Sequence, residues 1–378
     1  MGPLAGIKVI EMKGLGPGPY AGMLLADMGA DVVVVERAST SAGIALTSSR
    51  DVHSRGKRSI ALDLKKPAGT EVLLTLIEQA DMLLEGYRPG VAERLGFGPD
   101  VCQQRNPKLI YGRVTGWGQD GPLAKAAGHD INYIALTGAL AAIGEQERPV
   151  PPLNLLGDYA GGSLFVVLGM LAAYIESSAS GKGQVIDAAI TDGTASLMSI
   201  VHGLSGLGMW TKERSNNLLD GAAPQYAVYK TSDDKHVAIG ALEPAFLNEL
   251  LDKIGADPSV AARLSDQRQW PQIKSELSAL FAQNTQRYWC DVLEGGDTCF
   301  APVLNFDEAA THPHNSARKT YIDIAGQQQP APAPRFSRSN SEQPMPPHPE
   351  GADTEQVLLQ AGLSVADIEV LRADGVLT

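Results

Sequence analysis

Three ionisable side chains stand in settings suited to proton transfer. His129 follows Gly128 and opens HDINYIALTGAL, a segment with helical character. Asp158 follows Gly157 and precedes Tyr159-Ala160-Gly161-Gly162, at the start of the most apolar helix of the chain. A carboxylate at a helix start faces the positive end of the helix dipole. Glu243 lies in GALEPAF, after a strand and directly before Pro244. Unperturbed histidine titrates near about 6.5 and aspartate near about 3.9, so either can work near neutrality if its site tunes it. Each has an ordinary reading as well: an N-cap for Asp158, a capping or core histidine for His129, a helix-start acid for Glu243. His312-Pro313-His314 is a poor metal pattern, because Pro313 separates the pair and no carboxylates adjoin it. His53, His202, His236 and His348 carry no assigned role.

Two further patterns concern ligands. Gly16-Pro17-Gly18-Pro19-Tyr20-Ala21 has the GxGxxA spacing of a dinucleotide turn, and Glu36 ends the next strand about 20 residues on. Pro17 and Pro19 remove two backbone N–H donors that a phosphate cradle uses. Arg37, directly after Glu36, offers that acid an ion-pair partner. The turn is therefore read as one that shapes the sheet edge, with a nicotinamide site as the alternative. The second pattern is basic: Arg37, Arg55, Lys57, Arg58, Lys65, Arg88 and Arg94 fall within the first 100 residues, mostly at strand ends or in loops. Arginine forks suit phosphates, so the cluster predicts a polyanion such as CoA, with its diphosphate and 3′-phosphate; a solvated face with surface pairs is the plain alternative.

The elements that must position these residues alternate. Strands are expected at Ile7–Glu11, Asp31–Glu36, Ser59–Leu64, Asp81–Glu85, Leu109–Val114 and Gln184–Ala188. Helices are expected at Tyr20–Met28, Ala68–Gln79 and about Tyr159–Ile175. Such alternation predicts an α/β fold with a parallel, doubly wound sheet. The pattern loosens over Gly203–Ala223, a connector. Strand–turn–strand is expected over Gln225–Leu242, with Asp233–Asp234 in the turn, then helices to about Leu293. Pro330–Pro349 holds seven prolines and reads as an extended strap. Two short helices, Asp353–Gln360 and Val365–Arg372, follow.

Composition narrows the partners. A formal net charge of −12 argues against nucleic acid and anionic membrane as partners. The N-terminus lacks a signal-peptide pattern, no apolar run reaches about 18 residues, and the longest, Ala160–Ala173, suits a buried helix. Cys102, Cys290 and Cys299 are too scattered for a disulfide framework and are expected as buried thiols in a reducing, cytoplasmic setting.

At these residues the chain resembles the class III CoA-transferase superfamily and, within it, the α-methylacyl-CoA racemases. The resemblance is carried in order by GPYAGMLLADMGADVVVVER, RGKRSIALDLK, LLEGYRPGVAERLGFGP, LIYGRVTGWGQDGP, GHDINYIALTG, GDYAGGS, GKGQVIDAAITDG, GALEPAF, APVLNFDEA, HPHNSAR and QPAPAPRFSR. It implies a Rossmann-like large domain with a smaller α+β domain in an interlocked homodimer. The division expected is 1–205 for the large CoA-binding domain, 206–224 for the connector, 225–325 for the small domain and 326–378 for the returning strap and helices. It implies that His129 and Asp158 are the acid/base pair, with Glu243 of the partner chain holding His129. Arg37, Lys65, Gly86, Arg88, Val91 and Arg94 would line the CoA tail, Leu62 and Leu64 would offer backbone to the adenine, and Tyr133 would sit near the thioester. Tyr159 departs from the phenylalanine that many racemases carry there. The implied reaction inverts the α-carbon of a 2-methylacyl-CoA through an enolate, with no metal or redox cofactor. Backbone N–H groups at the start of the Asp158 helix are the expected donors to the enolate oxygen. The rival within the superfamily is a CoA-transferase with Asp158 as nucleophile, a group that tends to carry a glycine-rich loop where this chain has GALEPAF.

Overall fold

The computed structural model describes residues 1–37, 51–339 and 342–377. Six strands form one parallel sheet: β1 (Lys8–Met12), β2 (Asp31–Arg37), β3 (Arg58–Leu62), β4 (Met82–Glu85), β5 (Ile110–Thr115) and β6 (Val185–Ala189). Their order is β3-β2-β1-β4-β5-β6. The strand order reverses between β1 and β4, and in such sheets ligands bind beyond the carboxyl ends of the strands at that reversal.

The central strands are mostly apolar because both faces are covered. Ile10, Val33, Ile60 and Leu83 enter one core with Leu73 and Ile77 of the helix Pro67–Ile77. Their neighbours Val9, Val32, Met82 and Leu84 enter a second core. Ala21 and Leu25 of the helix Pro17–Asp27 and Val166 and Met170 of the helix Leu164–Ser180 cover that face. The alternation follows from the two-residue repeat of an extended chain. By length and composition the helical run Leu155–Ser180 could cross a membrane. Its inner face, however, packs on the sheet through Val166, Val167, Met170 and Ala173.

Two compact units divide the chain. The first is Met1–Thr137, Leu153–Leu197 and Tyr321–Thr378; the second is Gly138–Pro152 and Met198–Thr320. In the second, β7 (Tyr226–Lys230), β8 (His236–Gly240) and β9 (Phe300–Val303) form an antiparallel sheet, and the turn after β7 carries Asp234 at φ 61°. The helices Pro244–Lys253, Trp270–Phe281 and Gln286–Leu293 close its core around Tyr229, Val237, Leu250 and Phe281. The expected connector is more ordered than its sequence implies. The helix Ser199–Gly206 runs into it, and the Asp220 carboxylate accepts backbone N–H bonds from Asn216, Asn217 and Ala222. The proline strap is extended over its described part; Asn340 and Ser341 lie outside the described residues.

Three members of the basic cluster are structural, which corrects the reading of all seven as a ligand surface. Lys57 is buried 2.6 Å from Glu11 and also donates to the Pro19 carbonyl at 2.9 Å. Arg55, also buried, meets Asp27 at 2.6 Å and bonds to Gln329 and the Pro330 carbonyl. Arg58 meets Asp31 at 2.6 Å on the sheet edge. Glu36 accepts from the Ser59 hydroxyl at 2.8 Å, so Arg37 is not its partner; alternation along β2 sends the two side chains to opposite faces. Of the cysteines only Cys102 is buried, while Cys290 is half-buried and Cys299 exposed, against the expectation of three buried thiols.

The Glu11–Lys57 pair also fixes a glycine. A Cβ on Gly22 would lie 1.8 Å from Glu11 Oε2 and 2.9 Å from Lys57 Nζ. Gly22→Ala should therefore destabilise the fold by about 3 kcal/mol, by displacing a buried ion pair. An unchanged urea midpoint would show that the pair has room to yield.

Candidate active site

The crevice at the β1–β4 reversal begins with the turn after β1. Gly16 precedes the helix Pro17–Asp27 at φ 70°, a backbone region that favours glycine. A Cβ there would stand 3.0 Å from Asp158 Oδ2. The glycine turn with dinucleotide spacing thus opens space for a carboxylate of the protein itself. The Pro17 carbonyl accepts from Ser163 Oγ at 2.7 Å, tying the same two segments together.

Asp158 is not an N-cap. The helix starts four residues earlier than the sequence suggests, with a π-helical turn over Leu155–Ser163 that runs into Leu164–Ser180. Such wide turns are rare and concentrate at functional sites. Asp158 is half-buried within this turn. Asn154 Nδ2 approaches its carboxylate at 3.5 Å. Burial, and then the negative charge of Asp130, push the Asp158 carboxyl up to about 6, against the opposing effects of Asn154 and His129.

His129 is exposed and occupies the N-cap position of the helix Asp130–Leu136, where its backbone N–H donates to Asn132 Oδ1 at 3.0 Å. Of its two ordinary readings, a capping position is the one the backbone adopts. Asp130, the next residue, was not singled out in the sequence. It is 8% exposed, and its Oδ1 accepts the backbone N–H of Asp158 at 2.7 Å. The expectation that this N–H is open to an enolate oxygen is therefore corrected. The next one along, that of Tyr159, goes to the Asn154 carbonyl. The acid directly after His129 was the available signal, but nothing in the sequence says which way its side chain turns.

The four remaining basic residues, Arg37, Lys65, Arg88 and Arg94, are exposed, and among the described residues none makes an ion pair. They lie at the carboxyl ends of β2, β3 and β4: Arg37 ends β2, Lys65 follows β3, Arg88 follows β4, and Arg94 ends the single-turn helix Val91–Arg94. Gly86 follows β4 directly. Beneath this rim Arg113 bonds Glu85 at 2.8 Å and Glu93 at 2.9 Å, and Glu85 accepts the Tyr87 N–H at 2.6 Å. These bonds fix the loop that presents Arg88, Val91 and Arg94. Leu62 is buried and bridges Leu377, while Leu64 is half-buried beside it. Tyr133 packs edge-on against Trp117 with centroids 4.8 Å apart and donates to the Gly128 carbonyl. With Gly86, Arg88 and Trp117 it lines a cavity of about 90 Å³. Tyr159 meets Tyr20 at a tilt, with ring centroids 4.6 Å apart, and meets His53 edge-on, a ring cluster the sequence did not disclose.

Glu243 belongs to the second unit. It is exposed at the N-cap of Pro244–Lys253, and its side chain makes no capping bond.

The chain matches CoA-transferase family III over residues 4–354. It is 43% identical to α-methylacyl-CoA racemase of Mus musculus, over 98% of this chain and 96% of that protein. Against α-methylacyl-CoA racemase of Homo sapiens the identity is 41%, over 99% and 97%. A CAIB/BAIF family protein from Brucella suis shares the fold, with a TM-score of 0.79 at 23% identity, covering 95% of this chain and 99% of that one.

The site's ionisation is directly measurable. With ¹³C-labelled aspartate and Asp158→Asn as the blank, the Asp158 carboxyl should titrate near about 6. A midpoint near about 4, the ordinary aspartate value, would mean that burial and Asp130 do not act on it.

Proposed function

This chain belongs to CoA-transferase family III, and we propose that it inverts the α-carbon of 2-methylacyl-CoA thioesters by moving a proton between His129 and Asp158. The observation that carries this reading is the placement of Asp158, half-buried in the π-helical turn with its backbone N–H held by Asp130, the residue after His129, where burial and Asp130 push its carboxyl up to about 6. Inversion needs a base on one face of the α-carbon and an acid on the other. For one enantiomer neutral His129 removes the proton and protonated Asp158 supplies another; for the other enantiomer the roles reverse. A carboxyl titrating near neutrality fills both roles, which an ordinary aspartate would not. The scheme uses no metal or redox group. The names of the mouse and human relatives support the choice of substrate.

The CoA moiety lies, in this reading, along the rim. Arg37, Lys65, Arg88 and Arg94 meet the phosphates; Gly86 and Val91 flank the chain; the backbone of Leu62 and Leu64 serves the adenine; Tyr133 stands by the thioester. The working form is an interlocked homodimer with a site shared between two chains. Apolar side chains stand exposed in both units: Leu164, Leu168 and Ile175 in the first, Ile200, Leu207 and Met209 in the second. The helix Ser199–Gly206 buries no residue at all. Exposed apolar side chains gathered on these helices support the reading of an interface. Glu243 then comes from the partner and accepts from one imidazole nitrogen of His129, fixing its tautomer.

A single-enantiomer 2-methylacyl-CoA in D2O should gain α-deuterium and lose optical purity with no acyl acceptor present. His129→Ala and Asp158→Asn should each lower the rate by at least about 10³-fold. Arg88→Ala should raise KM, most at low salt. Activity on the enantiomer for which Asp158 is the base should also fall as pH drops through about 6, because the Asp158 carboxyl then holds its proton. Turnover only when a free acid accepts CoA would make the chain a transferase instead. Sharing of the site is tested by co-folding Glu243→Ala chains with Asp158→Asn chains. A shared site predicts recovery of roughly half the activity per heterodimer, since one of its two sites is intact. No recovery would place each complete site in one chain.

A further inference from the structure

We propose that Asp130 is the positioning residue of this site, clamping the Asp158 peptide from a neighbouring helix so that the Asp158 carboxyl keeps its place in the crevice. The proposal rests on the racemase reading for its consequences in catalysis, but its geometry stands alone. A helix start leaves its first N–H groups without acceptors inside the helix. Ordinarily a local side chain or water takes them. Here Asn154, at the N-cap of the turn that carries Asp158, makes no side-chain cap bond. The acceptor arrives from elsewhere in the sequence instead. Asp130 Oδ1 takes the Asp158 N–H at 2.7 Å, and the Gly157 backbone beside it also favours the ionised Asp130.

The approach is close. A Cβ on Gly157 would stand 2.3 Å from Asp130 Oδ1 and 2.8 Å from Ile134, so the Asp130 helix and the Asp158 turn meet without a side chain between them. Because Asp130 follows His129 directly, one short segment carries one member of the proposed acid/base pair and grips the backbone of the other. Movement of the His129 turn is thereby linked to movement of Asp158.

The other oxygen of Asp130 explains why a mere cap does not account for the residue. Oδ2 is buried and has no hydrogen-bond partner. A buried carboxylate oxygen left unpaired is costly, and asparagine could supply the same Oδ1 acceptor without the charge. What the carboxylate adds is its negative charge beside Asp158, the second cause of that group's raised ionisation after burial. Among the ionisable groups around this pair, His129 acts to lower Asp158, while the charges of Asp158 and Asp130 raise the Tyr133 phenol, which burial also raises and Arg88 lowers.

Two substitutions separate grip from charge. Asp130→Ala removes both; Asp130→Asn keeps an acceptor oxygen and removes the charge. With Asp130→Ala, kcat for racemisation should fall about 30-fold or more while KM for the acyl-CoA changes by less than about 3-fold. Amide hydrogen exchange in the Leu155–Ser163 turn should quicken in that variant. Asp130→Asn should keep the exchange protection and recover kcat to within about 5-fold of the parent. Its acid limb should move to lower pH, since a neighbouring negative charge that raised Asp158 has gone. Equal loss of kcat in the two variants, or an alanine variant with parental kcat and parental exchange, would overturn the proposal. Should the alanine chain not fold, an unmoved acid limb in Asp130→Asn would overturn it. If the parent protein itself exchanges no α-proton, it is the racemase reading that fails, and the amide exchange of the variants still decides whether Asp130 grips the turn.

Discussion

A buried carboxylate needs donors, and Asp130 finds them in the backbone of the segment that carries Asp158. Much of the site is arranged around that bond. It brings the helix Asp130–Leu136 against the π-helical turn closely enough that no side chain fits at Gly157. It sets His129, one residue before, at the same end of the sheet. It places two acids side by side where burial already disfavours charge, and the half-buried aspartate is pushed up to about 6. Without the wide first turn the Asp158 carboxylate would project differently from a regular helix, and Gly16 would have nothing to make room for.

The supports under the crevice are of a different kind. Three buried or half-buried ion pairs, Lys57 with Glu11, Arg55 with Asp27, and Arg113 with Glu85, tie strands and loops together below the rim. Pairs like these are weak evidence of stability, because desolvating both charges offsets most of their attraction. Their contribution is register. Each charge has one place in which it is compensated, so the loops that carry Arg88 and Arg94, or lead from β1 to Gly16, have one position. The cations left over at the strand ends are then held where a polyanion can meet them, without acids of their own to compete.

How far this was legible in the sequence depends on how local each feature is. The six strands and their helices were readable to within a few residues, because apolar runs and the two kinds of periodicity are local signals. The basic cluster was readable as a cluster but not as two populations. Lys57 and Arg88 are alike in sequence; what separates them is Glu11, 46 positions from Lys57, brought close only by the sheet. The π-helical start escaped for a related reason. GDYAGGS reads as a helix beginning at Tyr159, and nothing local shows that the chain turns helical at Leu155. The order within Gly203–Ala223 was hidden because Asp220 works by accepting backbone bonds, which leave no apolar pattern.

The glycine turn shows why spacing alone misassigns chemistry. GxGxxA after a first strand is needed wherever something must come close to the start of the following helix, and in nucleotide enzymes that something is a pyrophosphate. The constraint on Gly16 is the same here, a positive φ and no side chain, but the group that comes close is the Asp158 carboxylate of the chain itself. Pro17 and Pro19 are compatible with this use and not with the other. An N–H missing from a phosphate cradle is a lost donor, whereas beside a carboxyl group a missing donor leaves its protonated form less disfavoured. The prolines therefore do more than weaken a nucleotide signature. They leave the helix start poor in donors beside a carboxyl that burial and Asp130 already push up to about 6.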